Sequence, residues 1–279
     1  MCECGVPMAK LVQLYRILNL LSLDVASGAV VSALFFARLM NVHVRPFGFV
    51  CLGLTVWIIY TADHLFDVWT IKIPASTARH KFHQDNFKLL RIVLLTMITV
   101  DLILTVFIET PVFHWGLGLT GIVCLYFIVQ SKLKFVKEFV GALLYSAGIL
   151  LPSWPVAEKP LSPLILLLMG QFLITALINL ILFSWFDYQR DLQDRRESLI
   201  TFLGHRIGKF LLIGLFLVQG SITVYLRMHS QDPVVVMVFA MMNLVLVFIF
   251  WESNFFSLDD RYRYAGDAVF FFPLIYLVA

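Results

Sequence analysis

Residues 162–194 read SPLILLLMGQFLITALINLILFSWFDYQRDLQD. No charge falls between Ser162 and Phe186, and then Asp187, Arg190, Asp191 and Asp194 follow in quick succession. A helix rises about 1.5 Å per residue and the hydrocarbon core of a bilayer is about 30 Å thick, so ~20 apolar residues suffice to cross it. The stretch therefore predicts a membrane-spanning helix that ends in paired acids. Cutting the rest of the chain at its clusters of charge and proline gives nine such runs, at roughly 17–37, 46–66, 90–108, 112–130, 138–157, 162–186, 207–226, 233–251 and 265–279. The first carries Ser22, Asp24 and Ser27 and is followed by no small-residue cleavage site, so it reads as a retained helix and not a signal peptide.

Composition agrees. Of 279 residues, 60% are hydrophobic and 14% charged, with 26 Phe and a mean hydropathy of +0.88. A soluble domain has about 45–50% apolar and about 25% charged residues, so a water-soluble globule, a disordered chain and a coiled coil are all excluded. No stretch marks off a soluble domain. The expected architecture is an all-α integral membrane protein, one transmembrane domain over residues 1–279, with nine transmembrane helices bundled around a central cavity. The net charge of +3 is distributed between apolar runs and gives no reason to expect a nucleic-acid partner. Cys2, Cys4, Cys51 and Cys124 form neither a disulfide framework nor a complete zinc site, and read as small buried or terminal residues.

The charges report orientation. With nine spans, the N-terminus and the loops after spans two, four, six and eight share one side, and that side holds 17 of the 21 Lys and Arg residues. Only Arg38, Arg45, Lys159 and Arg227 lie opposite. The positive-inside rule then places the N-terminus in the cytoplasm. The two long loops, at about 67–89 and about 187–206, are on that same side. A compact chain of this kind suits a prokaryotic inner membrane, with its site facing the cytoplasm.

Spans two and six both end in D-x-x-x-D: Asp63-His64-Leu65-Phe66-Asp67 and Asp187-Tyr188-Gln189-Arg190-Asp191. Carboxylates four apart lie one above the other on a helix and repel unless a cation sits between them. Acids at membrane depth are costly and face a cavity or a partner. A single pair is often an ordinary juxtamembrane charge cluster. Two pairs at matching helix ends are not needed for anchoring, and could converge on one polar mouth as in internally repeated bundles. Mg²⁺ is commonly held by one or two carboxylates while substrate phosphates complete its octahedron, so a diphosphate is the expected third party. Bases stand nearby for its oxygens: Arg79, His80 and Lys81; Lys132, Lys134 and Lys137; Arg190, Arg195 and Arg196.

These features resemble the UbiA superfamily of intramembrane prenyltransferases, whose members hold a prenyl diphosphate through Mg²⁺ between two aspartate-rich helix ends. The second motif carries most of the resemblance: Asp187-x-x-x-Asp191, then Ser198-Leu199, then Leu203-Gly204, similar to the family's D-x-x-x-D, Thr/Ser-Leu and Leu-Gly. The first motif matches the family's N-D-x-x-D-x-x-x-D in its last two acids, Asp63 and Asp67, with Ile59 and Tyr60 where the Asn and first Asp usually stand. Arg79 resembles the loop arginine after that motif, and Arg16-x-x-Asn19 the family's Arg-Pro-x-Asn without its proline. Tyr126 resembles the tyrosine of the family's Y-x-x-x-K, with Gln130 at the lysine position and Lys132 two residues on.

The resemblance implies an enzyme that transfers a prenyl group from a polyprenyl diphosphate to an aromatic or other lipophilic acceptor within membrane lipid. It implies catalytic and Mg²⁺-binding roles for Asp63, Asp67, Asp187 and Asp191, diphosphate contacts from Arg79, Lys132 and Arg190, and acceptor contacts from Arg16, Asn19, Asp24 and Tyr126. The alternative it leaves open is a non-catalytic protein that keeps the fold to bind or move a lipid or isoprenoid. His64, His80 and His83 invite a metal-site reading, but His80 and His83 lie in a basic stretch, residues 78–84, that opposes a bound cation and reads as a structural loop. Asp101, inside span three, is expected to bond a neighbouring helix, and Asp267 to pair with Arg261 or Arg263.

Overall fold

The computed structural model describes residues 13, 15–70, 78–194, 196–229 and 232–279, with main chain alone at 70, 78–80, 131 and 132. Cys2, Cys4, Lys10, Lys72 and Arg195 lie outside the described residues, as do the side chains of Arg79, His80 and Lys132. The long elements are α1 (Leu23–Leu39), α2 (Pro46–Thr70), α4 (Phe87–Leu104), α5 (Thr110–Leu133), α6 (Lys137–Leu150), α7 (Pro163–Phe186), α10 (His205–His229) and α11 (Pro233–Trp251). Shorter helices are α3 (Ala78–Asp85), α8 (Tyr188–Gln193), α9 (Leu199–Leu203), α12 (Ser253–Phe256), α13 (Arg261–Ala268) and α14 (Leu274–Val278). No strand occurs among the described residues.

Six of these helices are long and apolar enough to cross a membrane: Pro46–Trp69, Phe87–Phe107, Thr110–Gln130, Pro163–Phe186, His205–His229 and Pro233–Trp251. They coincide with six of the nine expected runs. The other three runs are helical but interrupted, each for a local reason. Run one breaks at Ser22, whose backbone is left-handed at φ 55°. Run five stops where α6 gives way to a turn holding Pro152, which has no N–H to donate. Run nine is divided by Pro273 between a short 3₁₀ turn, Val269–Phe271, and α14. The starts of α7 and α11 are set by Ser-Pro and Asp-Pro. Ser162 accepts the Ile165 N–H at 3.2 Å and Asp232 that of Val234 at 3.0 Å, with a proline next in each first turn.

The chain forms two compact units, one of residues up to 30 and 45–108, the other of 31–44 and 109–279. In the first, α2 packs along α4. Thr55 donates to Asp101 at 2.8 Å, as expected for an acid that bonds a neighbouring helix, and Trp57 donates to the Leu21 carbonyl at 2.8 Å beside the break in run one. The surface of α4 is mostly apolar and exposed, including Leu89, Ile92, Leu102 and Ile103, as suits a helix that faces lipid.

In the second unit α7 lies against α6, α10 and α11. Its interior joins an aromatic cluster to a polar ladder. Phe35 and Phe36 meet edge to face at 5.2 Å, Phe36 reaches Phe172 at 5.4 Å, and Phe172 reaches Phe270 at 5.7 Å. Between α7 and α10, Gln171 donates to Thr223 at 2.7 Å and Gln219 to Thr175 at 2.6 Å. Each threonine passes its own proton to a main-chain carbonyl one turn back, Thr223 to Gln219 and Thr175 to Gln171, at 2.9 Å in both cases. The hydroxyls can therefore only accept from the amides, which fixes the register of the two helices.

Candidate functional site

Asp187 stands at the junction of α7 and α8. Its N–H closes α7 onto the Phe183 carbonyl at 2.9 Å, while its own carbonyl accepts from Asp191 at 2.8 Å. Helical spacing thus survives the junction, and the two carboxylates remain one turn apart. Asp187 is buried and Asp191 half-buried.

Three side chains converge on Asp187. The Tyr262 hydroxyl donates to Oδ1 at 2.6 Å, a guanidinium nitrogen of Arg263 donates to Oδ2, and Arg190 approaches Oδ1 at 3.5 Å. The Nε of Arg263 also donates to the Tyr262 hydroxyl oxygen at 3.3 Å, so carboxylate, phenol and guanidinium close a triangle. Arg190 turns its main bond, at 2.6 Å, to Asp260. Aromatic rings wall the cluster: the Arg263 guanidinium lies 5.3 Å from the Phe183 ring, and Phe186 stacks on Tyr262 at 4.4 Å. Burial pushes the Tyr262 hydroxyl well above its usual range, so it keeps its proton and donates. Burial works against the charge on Arg263, but Asp187 more than offsets this and holds the guanidinium protonated.

Asp191 is in a different environment. Burial first, and then the negative charge of Asp187, raise its pKa to about 6, against the opposing pull of Lys137, a hydrogen bond from Ser198 and Arg196. Ser198 also caps α9: its Oγ accepts the Thr201 N–H at 3.2 Å, and its own N–H donates to Thr201 Oγ1 at 2.7 Å. Gly204 ends the helix at φ 84°, where a side chain would be strained. The Ser198-Leu199 and Leu203-Gly204 pairs noted in the sequence are thus the start and stop of a short helix beside Asp191. Asp194, between Asp191 and Ser198, is exposed.

Glu138 is a buried acid that the sequence reading passed over. Its Oε1 accepts from Ser184 at 2.9 Å and from the Leu199 N–H at 3.1 Å, tying α6 to α7 and α9. Its only signal was an isolated acid one residue into an apolar run. Tyr262 and Asp260 were missed as well, and Arg263 was weighed only against Asp267. The charged stretch Asp259-Asp260-Arg261-Tyr262-Arg263 marked the segment, but its pairing with residues 70 to 76 positions away is tertiary.

The first unit holds the other acid pair. Asp63 and Asp67 lie one turn apart and half-buried near the end of α2. Between them His64 is buried, its ring 4.9 Å from that of His83 on α3, and His83 is itself buried. His64 and His83 bring α2 and the loop helix α3 together. Arg79 is in the first turn of that helix. Asn19 and Asp24 are brought together, both buried, with the Asn19 amide donating to Asp24 at 2.6 Å, while Arg16 is exposed. Tyr126, in the second unit, is half-buried on α5 with its ring 6.0 Å from Phe127.

No group of three or more His, Cys, Asp or Glu side chains is arranged to hold a metal among the described residues. One or two carboxylates are what Mg²⁺ takes from protein when phosphates supply the rest, so the donor chemistry fits a hard divalent ion at Asp191 and at Asp63 with Asp67. Both oxygens of Asp187 are turned to Tyr262 and Arg263.

No family model matches the chain, and no curated relative matches it. Among solved structures it is similar to that of digeranylgeranylglyceryl phosphate synthase in membranes, with a TM-score of 0.56 over 95% of this chain and 96% of that one, at 10% identity. At that identity the likeness shows a shared fold and assigns no residue a role.

Proposed function

We propose that this integral membrane protein, sharing its fold with a membrane synthase of a digeranylgeranylglyceryl lipid, is a prenyltransferase that moves a prenyl group from a polyprenyl diphosphate to a lipophilic or aromatic acceptor. One observation carries the reading: Asp187 and Asp191, one turn apart where a membrane-length helix ends, stand among Lys137, Arg190, Arg196 and Arg263. A carboxylate for the metal, set within a layer of bases for the phosphate oxygens, supplies the groups that a metal-bridged diphosphate requires. Mg²⁺ would be held by Asp63 and Asp67 in the first unit and by Asp191 in the second. When bound, it neutralises charge on the departing diphosphate and so eases cleavage of the allylic C–O bond.

The chain's own residues do the rest. Arg190 grips phosphate oxygens, with Arg79 and Lys132 assigned to the same task by the family resemblance. The buried Asn19–Asp24 pair, with Arg16 and Tyr126, is assigned to the acceptor. Aromatic faces favour a developing allylic cation, and an electron-rich acceptor carbon or oxygen attacks it. The distribution of bases supports placing the acid-bearing helix ends on the cytoplasmic side, in what we take to be a prokaryotic inner membrane.

The test is turnover of farnesyl and geranylgeranyl diphosphate by the full chain in lipid nanodiscs, with and without Mg²⁺. Diphosphate release that requires Mg²⁺ and disappears in Asp63→Ala and Asp191→Ala is the expected result. A second reading, a protein that binds an isoprenoid without turnover, is favoured by Ile59 and Tyr60 in the first motif. Binding of the prenyl diphosphate with no product after prolonged incubation would select it.

A further inference from the structure

Asp187 and Asp191 share a motif but not an environment. Asp191 is half-buried, whereas Asp187 is buried and already paired: Tyr262 occupies one oxygen and Arg263 the other. The Asp187 side chain is 12% exposed, the Arg263 side chain 30% and the Arg190 side chain 47%. The carboxylate is thus sealed beneath two guanidiniums that keep outward-facing surface. A guanidinium carries five N–H donors, and the bonds within the cluster use two from Arg263, one to Asp187 and one to Tyr262. What the cluster presents outward is therefore a donor layer and not a carboxylate.

That layer is held in place from several sides. Phe183 and Tyr262 supply ring faces at 5.3 and 5.5 Å from the Arg263 guanidinium. Gly266, one turn after Tyr262 on α13, lies so close to Asn179 and Phe183 of α7 that a Cβ would collide with them, which holds α13 against α7. Arg190 is fixed by Asp260 at 2.6 Å. Long side chains usually lose rotamer freedom when they bind an anion, and here much of that loss is already incurred in the free protein. Two oriented guanidiniums side by side match an anion with two phosphate groups, since Arg binds phosphate through parallel N–H donors.

We propose that Arg263, with Arg190, is the diphosphate-binding group of the second unit, and that Asp187 with Tyr262 acts as the positioning pair that aims it, leaving Asp191 as this unit's metal ligand. The assignment rests on the prenyl diphosphate reading for its ligand, and gives the two acids of one motif different tasks.

The experiment uses inorganic diphosphate as the probe, binding to the full chain in nanodiscs by calorimetry in EDTA, and separately measures Mg²⁺ binding without diphosphate. Arg263→Gln is expected to weaken diphosphate binding roughly tenfold or more, Arg263→Lys less, and Tyr262→Phe a few-fold, as expected for loss of one charge-assisted contact or of its tether. Mg²⁺ affinity is expected to fall in Asp191→Asn and to be unchanged in Asp187→Asn, which a metal-binding Asp187 would not give, while diphosphate affinity is expected to fall in Asp187→Asn, which a merely structural Asp187 would not give. If Arg263→Gln does not fold, Arg263→Lys and Tyr262→Phe decide. Diphosphate affinity unchanged in both, or Mg²⁺ binding lost in Asp187→Asn, overturns the assignment.

Prenyl diphosphate turnover by the wild type separates this failure from that of the wider reading. Turnover with an unaltered KM in Arg263→Gln removes Arg263 and leaves the enzyme. Diphosphate binding that depends on Arg263, without turnover, keeps the anion site and removes the prenyl-transfer chemistry.

Discussion

At the scale of single residues, the contrast within the second acid pair sets a pH dependence. Asp191 has its pKa raised from 3.8 to about 6, by burial and then by the charge of Asp187. A carboxyl whose pKa is higher folded than unfolded contributes stability at pH below both values and loses that contribution as pH rises through the folded one. The metal-free protein should thus gain stability from this group as pH falls from about 6 towards about 4. Asp191→Asn removes that component, so thermal melts of the two proteins between pH 7 and pH 4.5 should converge at the acid end. Mg²⁺ must displace the same proton, so stabilisation by Mg²⁺ should be full above pH 7 and should weaken about tenfold in apparent affinity per pH unit below about 6. A difference between the two melts that does not vary with pH would place the raised carboxyl elsewhere.

At the scale of elements, α9 shows what a short helix needs beside a site. It has five residues, too few to be stable alone, and it is defined by Ser198 at one end and Gly204 at the other. Ser198→Ala should cost about 1 kcal/mol through the lost cap, and Gly204→Ala about 1–3 kcal/mol through its backbone, both read as faster limited proteolysis between α8 and α10. The ladder between α7 and α10 gives a smaller effect. Thr175→Val takes the acceptor from the Gln219 amide, yet hydrogen bonds between membrane helices average only about 0.6 kcal/mol, so a loss of about 0.5–1.5 kcal/mol in denaturant unfolding is expected. The turn before α13 carries strain of the opposite kind. Asp259 and Asp260 are left-handed in succession, at φ 52° and 56°, and the Arg190–Asp260 pair holds them there. These elements also show what was legible. Ser-Pro, Asp-Pro and Ser198 through Gly204 are local signals, and the sequence displays them. So is the one-turn spacing of Asp187 and Asp191, because a helix converts spacing into geometry. The Arg263–Asp187 pair spans 76 positions, and no periodicity encodes a bond made when α13 packs on α7. The breaks at Ser22 and Pro273 were visible as residues, but hydropathy alone does not distinguish a continuous span from an interrupted one.

At the scale of the whole molecule, hydropathy and charge are separate sources of information. Hydropathy locates six helices that can cross a membrane, and the exposed apolar surface of α4 and α5 is what a bilayer would cover. Charge concerns direction: 17 bases against four on alternate loops bias the same chain towards one orientation. That bias depends on the parity of the crossings, so the interrupted runs matter. If run five turned back instead of crossing, the loops beyond it would change sides and the split would fall to 12 against nine, so the expected orientation depends on run five, whereas run nine has no loop beyond it and leaves the split unchanged. Two exposed positions put this to a direct test, Asp194 beyond α8 and Lys159 in the loop before α7. In a background without native cysteines, Lys159→Cys should react with a membrane-impermeant maleimide in intact cells, whereas Asp194→Cys should react only after permeabilisation. Labelling in the reverse order would put the acid pairs on the outer face, away from the cytoplasmic pool of soluble diphosphates, and would remove the orientation on which the proposed chemistry depends.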